Sequence, residues 1–344
     1  MKNRMLWSYI DLSQGERSDF RELLWRSEGT LLDIVMPVND SSRGQYYRHS
    51  YLMAALDIFG PHAYRWRSLH VIDRRSNVDP KYMALGELIS RFLENLKFPS
   101  LKCFTLQIPY NYEHIAYPTF LSPTCAPVLE YLELEDYSPP GIFSTATTLK
   151  SLRLRLRFLR GREIPIEFLH LIPTYKLTAL ELEGIVNWSL QPNSMQFPVL
   201  TVPHLKIDRT IQFLDAIIAT NLEHCDATLE DHLPILMFSG LGSKFSSIQR
   251  LSIYSRTGSF ADEKDHVAHT YCEAFPGVRH VELDSDALSR ICAAFPLRTQ
   301  HKARTLWISG KIWKPCLYFS QGVHMITLLG GLHSDRSWDS LYCA

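Results

Sequence analysis

The chain has 344 residues, of which 46% are hydrophobic and 21% are charged, a composition typical of a folded soluble protein. Its 36 Lys and Arg residues balance 36 Asp and Glu residues. This balance excludes a global field that would draw the chain onto nucleic acid or an anionic membrane. The length exceeds that of a typical single hydrophobic core, but it suits a repeat protein that grows by stacking.

Cysteine usage and the length of apolar runs indicate the compartment. The seven cysteines are an odd number, they are scattered, and no two form a C-x-x-C pair. This pattern argues against a disulfide framework and against a zinc module. No apolar run approaches the length of a membrane span, and no apolar stretch of signal-peptide length follows the basic residues at 1–7. We therefore expect a cytoplasmic or nuclear protein.

In chain order, the predicted elements are copies of one triplet: an apolar residue, two spacers, an apolar residue, one spacer and an apolar residue. Degenerate strands are predicted first, at Trp7-x-x-Ile10-x-Leu12 and at 32–34. The later copies have as their middle apolar residues Leu69, Phe104, Leu132, Leu152, Leu180, Leu205, Cys225, Leu251, Val281 and Leu306. Most successive spacings fall within the ~20–29 residues that are typical of leucine-rich repeats.

The triplet predicts an α/β fold. In each copy the last two apolar residues point the same way from a strand into a core. The connections are too long for hairpins, so the strands are expected to be parallel. Asp79 and Pro80 predict a helix start, and apolar residues between 85 and 96 keep helical spacing. Shorter helices are predicted over 211–219, 265–275 and 286–295. The expected architecture is a leucine-rich-repeat solenoid, a right-handed coil with parallel strands on its concave face and helices or short turns on its convex face.

Two nine-residue phrases carry a resemblance to a known family. Residues 98–106 and 126–134 closely follow Phe-Pro-x-Leu-x-x-Leu-x-Leu, and residues 6–12 and 31–34 match an opening segment. These motifs resemble the leucine-rich-repeat region of F-box proteins from mushroom-forming fungi. The resemblance implies the substrate-recognition region of a ubiquitin-ligase subunit, which is a non-enzymatic protein–protein interaction module. Its domains are expected at 1–60 (the post-F-box segment), 61–310 (the repeats) and 311–344 (an atypical tail or cap without the triplet).

The F-box itself is absent from this sequence, because in the family it lies before the phrase at Trp7. The family docks to a ligase adaptor through that segment. We therefore expect an adaptor contact only if an upstream F-box exists. The alternative is a stand-alone leucine-rich-repeat scaffold with no role in ubiquitin transfer. In both cases the expected partner is a protein of unknown identity, without nucleic acid or membrane.

Charged residues alternate across the predicted concave face. The outward residues form a charge ladder on three successive strands: Glu133 and Glu135, then Arg153 and Arg155, then Glu181 and Glu183. Residues 151–162 alone resemble a nucleic-acid-binding stripe. Since adjacent strands lie about 4.8 Å apart, pairing of opposite charges between exposed neighbours is the favoured interpretation. Recognition of phosphate or of an acidic partner stays open. The next repeat is predicted to present Lys206 and Asp208.

Two other regions are candidate partner-binding surfaces. Tyr254, Glu282, Asp284 and Trp307 are expected on the same face with no basic residue at matching positions. Aromatic residues on such a surface are common anchors for protein partners. Alternatively, Trp307 packs under the C-terminal tail. A loop at 109–118 presents Tyr110, Tyr112 and Tyr117, which are suited to recognition because tyrosine gives contact area at low entropic cost. The alternative is that this loop covers the solenoid edge.

Motifs for chemistry are weak. His266 and His269, with Cys272 beyond them, lack a defined closed set of four ligands for zinc. Residues 240–244 lack the spacing of a phosphate-binding loop. No defined catalytic motif is found, and we expect no catalytic residue, metal or cofactor. An enzyme remains an alternative that would require clustered groups with shifted pKa values.

Overall fold

The computed structural model describes residues 8–12, 17–37, 45–72, 83–107, 119–135, 148–155, 172–184, 189–207, 210–229, 244–255, 275, 277–284, 305–309 and 326–329. The chain divides into two compact units, residues 1–221 and residues 222–344. Both units contain parallel β-sheet, and the first also contains helices, so the fold is α/β as predicted. None of the described helices is long and apolar enough to cross a membrane.

The first unit contains a parallel sheet whose strands follow the chain order. Its strands are β1 (Tyr9–Asp11), β2 (Leu32–Pro37), β3 (Trp66–Ile72), β4 (Cys103–Gln107), β5 (Tyr131–Glu135), β6 (Ser151–Arg155), β7 (Ala179–Gly184), β8 (Met195–Gln196), β9 (Val202–Ile207) and β10 (Ile217–Ile218). Each strand from β1 to β7 pairs in parallel with the next, and β7 pairs with β9. The short strands β8 and β10 form a separate parallel pair.

The described helices of the first unit lie in the connections between strands. They are α1 (Arg17–Arg26), α2 (Gln45–Phe59), α3 (Met83–Glu94) and α4 (Thr210–Ala216), with 3₁₀ turns at Gly60–Arg65 and Thr119–Leu121. The predicted helix with apolar spacing between 85 and 96 is confirmed as α3, which is described from Met83 to Glu94, and its predicted start at Asp79 and Pro80 lies outside the described residues. The helix predicted over 211–219 ends at Ala216, because Ile217 and Ile218 form β10. The helices predicted over 265–275 and 286–295 lie outside the described residues, apart from Phe275.

The second unit contains five described strands. They are β11 (His224–Leu229), β12 (Arg250–Ser255), β13 (His280–Asp284), β14 (Thr305–Ser309) and β15 (Ile326–Leu329), and each pairs in parallel with the next. The strand β15 corrects the prediction that residues 311–344 lack the triplet. Val323, Ile326 and Leu328 have the triplet spacing, and Ile326 pairs with Leu306 in register.

The apolar residues of the triplet form the core of the first unit. Leu132, Leu152 and Leu180 lie opposite one another on successive strands and are buried, as are the residues two places later and three places earlier in each copy. Burial of each such side chain contributes about 1.5–3 kcal/mol. Phe120 contacts Phe98 and Phe104, with ring centroids 6.0 and 5.4 Å apart. The parallel direction of the strands and the inward side of the triplet are therefore confirmed.

One tight turn recurs where the chain approaches a strand. At residues 98–101, 126–129, 197–200, 245–248 and 275–278, the amide of the fourth residue donates to the carbonyl of the first at 3.2–3.4 Å. Four of these turns have Pro at the second position, which disfavours further helix, and a buried Phe or Ala before it. Just before the strands, backbone hydrogen bonds link each repeat to the previous one. Glu130 N–H donates to Lys102 O, and Lys150 N–H donates to Glu130 O, both at 2.8 Å.

The predicted register of the repeat at β9 is wrong by two residues. Leu205 pairs with Leu182, and the partner of Leu180 is Pro203. Pro203 therefore occupies the middle apolar position of this copy, where the other copies of the first unit have leucine or phenylalanine. The outward side chains at the end of β9 are His204 and Lys206, in place of the predicted Lys206 and Asp208. Asp208 lies outside the described residues.

Candidate interaction surface on the sheet

A polar face covers the side of the first sheet opposite the leucine core. One row across it contains His70, Thr105, Glu133, Arg153, Glu181 and His204, and the next row contains Gln107, Glu135, Arg155, Glu183 and Lys206. Alternation along each strand places these residues outward, because the leucines between them point inward. We call this surface the polar face.

Glu133 is the centre of a buried polar cluster on this face. Only 2% of its surface is exposed. Its carboxylate accepts a hydrogen bond from Gln107 Nε2 at 2.8 Å and another from the Tyr131 hydroxyl at 2.7 Å. Arg153 Nη1 and Arg155 Nη1 lie 3.3 and 3.6 Å from Glu133 Oε1, the oxygen that also accepts from Gln107. Two hydrogen bonds and two nearby guanidinium groups therefore replace the hydration that this buried carboxylate loses.

The two arginines connect Glu133 to the next strand. Arg153 Nε lies 2.6 Å from one oxygen of Glu181, and Arg155 Nε lies 3.2 Å from the other. Arg155 Nε also lies 3.7 Å from Glu183 Oε2. The predicted cross-strand pairing of the charge ladder is confirmed for these residues. The expectation that these pairs are exposed is wrong, because long side chains on neighbouring strands cover one another and shield Glu133 from water.

Burial and neighbouring charges shift the pKa values of Tyr131 and Arg153 in this cluster. Burial, together with the negative charge of Glu133, raises the pKa of Tyr131 above its ordinary value, so the hydroxyl stays a donor. Burial alone would lower the pKa of Arg153, but the charges of Glu133 and Glu181 outweigh it and raise that pKa. Four carboxylates face two guanidinium groups in the ladder. Both arginines therefore already face carboxylates of the protein. The charge ladder has more negative than positive formal charges.

The second unit places the remaining predicted partner residues on neighbouring strands. Glu282 and Trp307 lie opposite each other on β13 and β14, and Tyr254 and Asp284 lie at the carboxyl ends of β12 and β13. The residues directly opposite Glu282 are Ser252 and Trp307, neither of which is basic, but a basic residue lies diagonally across from it. Arg250 Nη2 donates to Glu282 Oε2 at 2.9 Å, because Arg250 lies two residues before Ser252, the residue paired with Glu282.

Tyr110, Tyr112 and Tyr117 lie outside the described residues, as do His266, His269 and Cys272. Within the described segments, no group of three His, Cys, Asp or Glu side chains is placed to hold a metal ion.

Sequence reasoning missed two members of the polar face. Tyr131 takes part in its contacts but was absent from the prediction, and His204 was displaced by the register error. In the second unit, Arg250, which contacts Glu282, was also absent from the prediction. The signal for Tyr131 and Arg250 was present, since the residue just before the middle apolar position also points outward. The Phe-Pro-x-Leu phrase at 197–200 would have given the correct register for His204.

Comparison of the chain with models of known protein families, and with curated proteins, gave no match.

Proposed function

We propose that the chain is a leucine-rich-repeat solenoid that acts in the cytoplasm or nucleus as a non-enzymatic protein–protein interaction module. Its binding surface is the polar face, which would be the concave side of the solenoid. The observation that carries this proposal is the common register of β3 to β7 and β9, which aligns polar side chains of six repeats on one side of a sheet.

The repeated local geometry supports the solenoid. Five copies share the tight turn, the described copies have parallel strands, and within each unit the strands of successive copies pair with each other. A unit of this kind cannot bury its apolar face alone, and stacking of neighbours supplies the missing contacts. The short pair β8 and β10 lies in the connections on either side of β9, as a second layer of such a coil requires.

The fixed geometry of the polar face supports binding. Glu133, Arg153 and Glu181 hold one another in place, so a partner would meet side chains that have already lost their conformational freedom. Since the arginines already face carboxylates, a phosphate backbone would have to displace Glu133 or Glu181. The face therefore favours a protein over a nucleic acid, with specificity set by the pattern of both charges.

The resemblance to F-box proteins supports a more specific role. We propose that the module recognises substrates for a ubiquitin ligase, with a ligase adaptor as a further partner only if an F-box lies upstream. Purification of the protein through a C-terminal tag at its natural locus tests this part. Stoichiometric recovery of the cullin-ligase adaptor supports it, whereas absence of the adaptor favours the stand-alone scaffold.

Site-specific photo-crosslinking in cells tests the binding surface. A benzoylphenylalanine is placed at Glu183 or Lys206 on the polar face, and at Tyr175 in the turn before β7 as a control. Tyr175 is strongly exposed, so its crosslinks report chance encounters. We expect the same discrete protein adducts from both polar-face positions and none of them from Tyr175. Equal adducts at all three positions, or none from the polar face, would contradict the proposal.

A further inference from the structure

The basic stripe at 151–162 contributes two described arginines to the polar face, Arg153 and Arg155 on β6. Alternation along the strand places both on the same side of the sheet. Their Nη1 atoms lie 3.3 and 3.6 Å from one oxygen, Glu133 Oε1. Two guanidinium groups that converge on one oxygen have the arrangement that binds a phosphate or a carboxylate group. The two arginines are therefore arranged as an anion site.

Two carboxylates of the protein itself occupy this anion site. Arg153 Nε lies 2.6 Å from Glu181 Oε2, and Arg155 Nε lies 3.2 Å from Glu181 Oε1. Each arginine thus lies between Glu133 on one neighbouring strand and Glu181 on the other. Since the sheet fixes the backbone of both glutamates, a free anion has to compete with two groups that cannot diffuse away.

Burial and hydrogen bonds hold the first of these carboxylates in place. The side chains of Arg153 and Arg155 are 16% and 14% exposed, and that of Glu133 is 3% exposed. Glu133 also accepts hydrogen bonds from Gln107 Nε2 and from the Tyr131 hydroxyl. Displacement of Glu133 would leave these two donors without their acceptor, which adds to the cost of binding an anion there.

The charge balance opposes an anion in the same way. The ladder has four carboxylates and two guanidinium groups. An anion that entered without displacing a glutamate would add to this negative excess, and like charges repel more strongly in a site shielded from water. Glutamine in place of a glutamate would keep the side-chain shape and remove the competing charge.

We propose that Glu133 and Glu181 are specificity-determining residues of the polar face, because they close a latent anion site and make the face reject phosphate groups and acidic polypeptide segments. The partner segment that covers β5 to β7 is then neutral or basic. This inference rests on the proposed function, since it names what the polar face selects against. Its test uses no protein partner, so its failure is distinct from a failure of protein binding, which the crosslinks report.

Binding of fluorescein-labelled oligothymidylate to the purified full-length chain tests the proposal, by fluorescence anisotropy at about 50 mM salt. The variants are Glu181→Gln and the double variant Glu133→Gln/Glu181→Gln. The control, Glu22→Gln/Glu28→Gln, removes the same charge from exposed positions. Relative to the wild-type chain, we expect binding at least about tenfold tighter for the double variant, about threefold tighter for Glu181→Gln, and changed by less than about twofold for the control.

Three results would overturn the proposal. The first is a wild-type chain that binds the oligonucleotide as tightly as the double variant. The second is a gain no larger than that of the control. The third is a gain that persists when Arg153→Gln and Arg155→Gln are added, because another surface would then bind the phosphates. Hydrogen exchange of the β5 amides reports whether the double variant is folded. If it is not, Glu181→Gln decides by the same criteria, since it leaves the hydrogen bonds to Glu133 intact.

Discussion

Replacing Glu133 by Gln tests the buried cluster, because the change removes the charge and keeps the shape. The carboxylate has four neighbours: two neutral donors at 2.7 and 2.8 Å and two guanidinium groups at 3.3 and 3.6 Å. The glutamine amide can accept with one oxygen only, and its NH₂ group faces donors. Breaking a buried ion pair costs about 3–5 kcal/mol, but both arginines keep Glu181. We expect a loss of about 2–4 kcal/mol in the free energy of unfolding.

Glu130→Gln is the matched control three residues away. Glu130 also lies between two cations, with Lys150 Nζ at 3.0 Å and Lys102 Nζ at 3.7 Å. Its side chain is 36% exposed, and such pairs contribute about 0–1 kcal/mol. The two variants thus remove the same group from similar ion pairs and differ in burial.

Urea unfolding measures the difference. With an m-value of about 2 kcal/mol/M, Glu133→Gln should lower the midpoint by about 1–2 M, and Glu130→Gln by less than about 0.5 M. Hydrogen exchange of the β5 amides shows whether the loss lies in the first unit. Equal midpoints for the two variants would refute the reasoning, because water would then reach Glu133 as readily as Glu130.

Two further predictions concern other parts of the chain. A Cβ added at Gly277 would lie 2.0 Å from the carbonyl oxygen of Ser246, so Gly277→Ala should lower the free energy of unfolding by about 1–3 kcal/mol. The control is Arg279→Ala, at an exposed position, which should lower it by less than about 0.5 kcal/mol in the same urea assay. Burial and the charge of Arg65 lower the pKa of His62 in the folded chain, so the unfolded chain binds its proton first, and stability should fall as the pH falls below about 6.5. His62→Phe should make this decline shallower in urea midpoints measured from pH 7 to 5, and an unchanged slope would contradict the assignment.

Much of the fold could be predicted because one physical pattern recurs. Leu132, Leu152 and Leu180 each stand in a clear triplet, so strand direction and register followed from alternation and spacing. The prediction failed at β9 because Pro203 occupies the middle apolar position, where the triplet pattern expects leucine or a similar residue. The strands β8 and β10 have only two residues each, too few for any periodicity to be visible.

The site was predicted less completely, because burial on an outward face depends on neighbours. Alternation places Glu133 outward, and only the lengths of the Arg153 and Arg155 side chains on the next strand explain why it is buried. The contact from Arg250 to Glu282 is diagonal, so a comparison of directly opposite positions missed it. A cavity beside His62 lies between α1 and a 3₁₀ turn, and no sequence motif indicates that these two elements are adjacent.

The central claim is that the polar face binds a protein, and the affinity of a crosslinked partner for charge-reversed chains tests it most directly. Glu183→Lys changes the polar face, and Glu22→Lys changes an exposed ion pair on α1. Because misplaced charge at an interface is costly, the account predicts at least about tenfold weaker binding for Glu183→Lys and less than about twofold for Glu22→Lys, with both chains folded. Equal affinities for the two variants would contradict it.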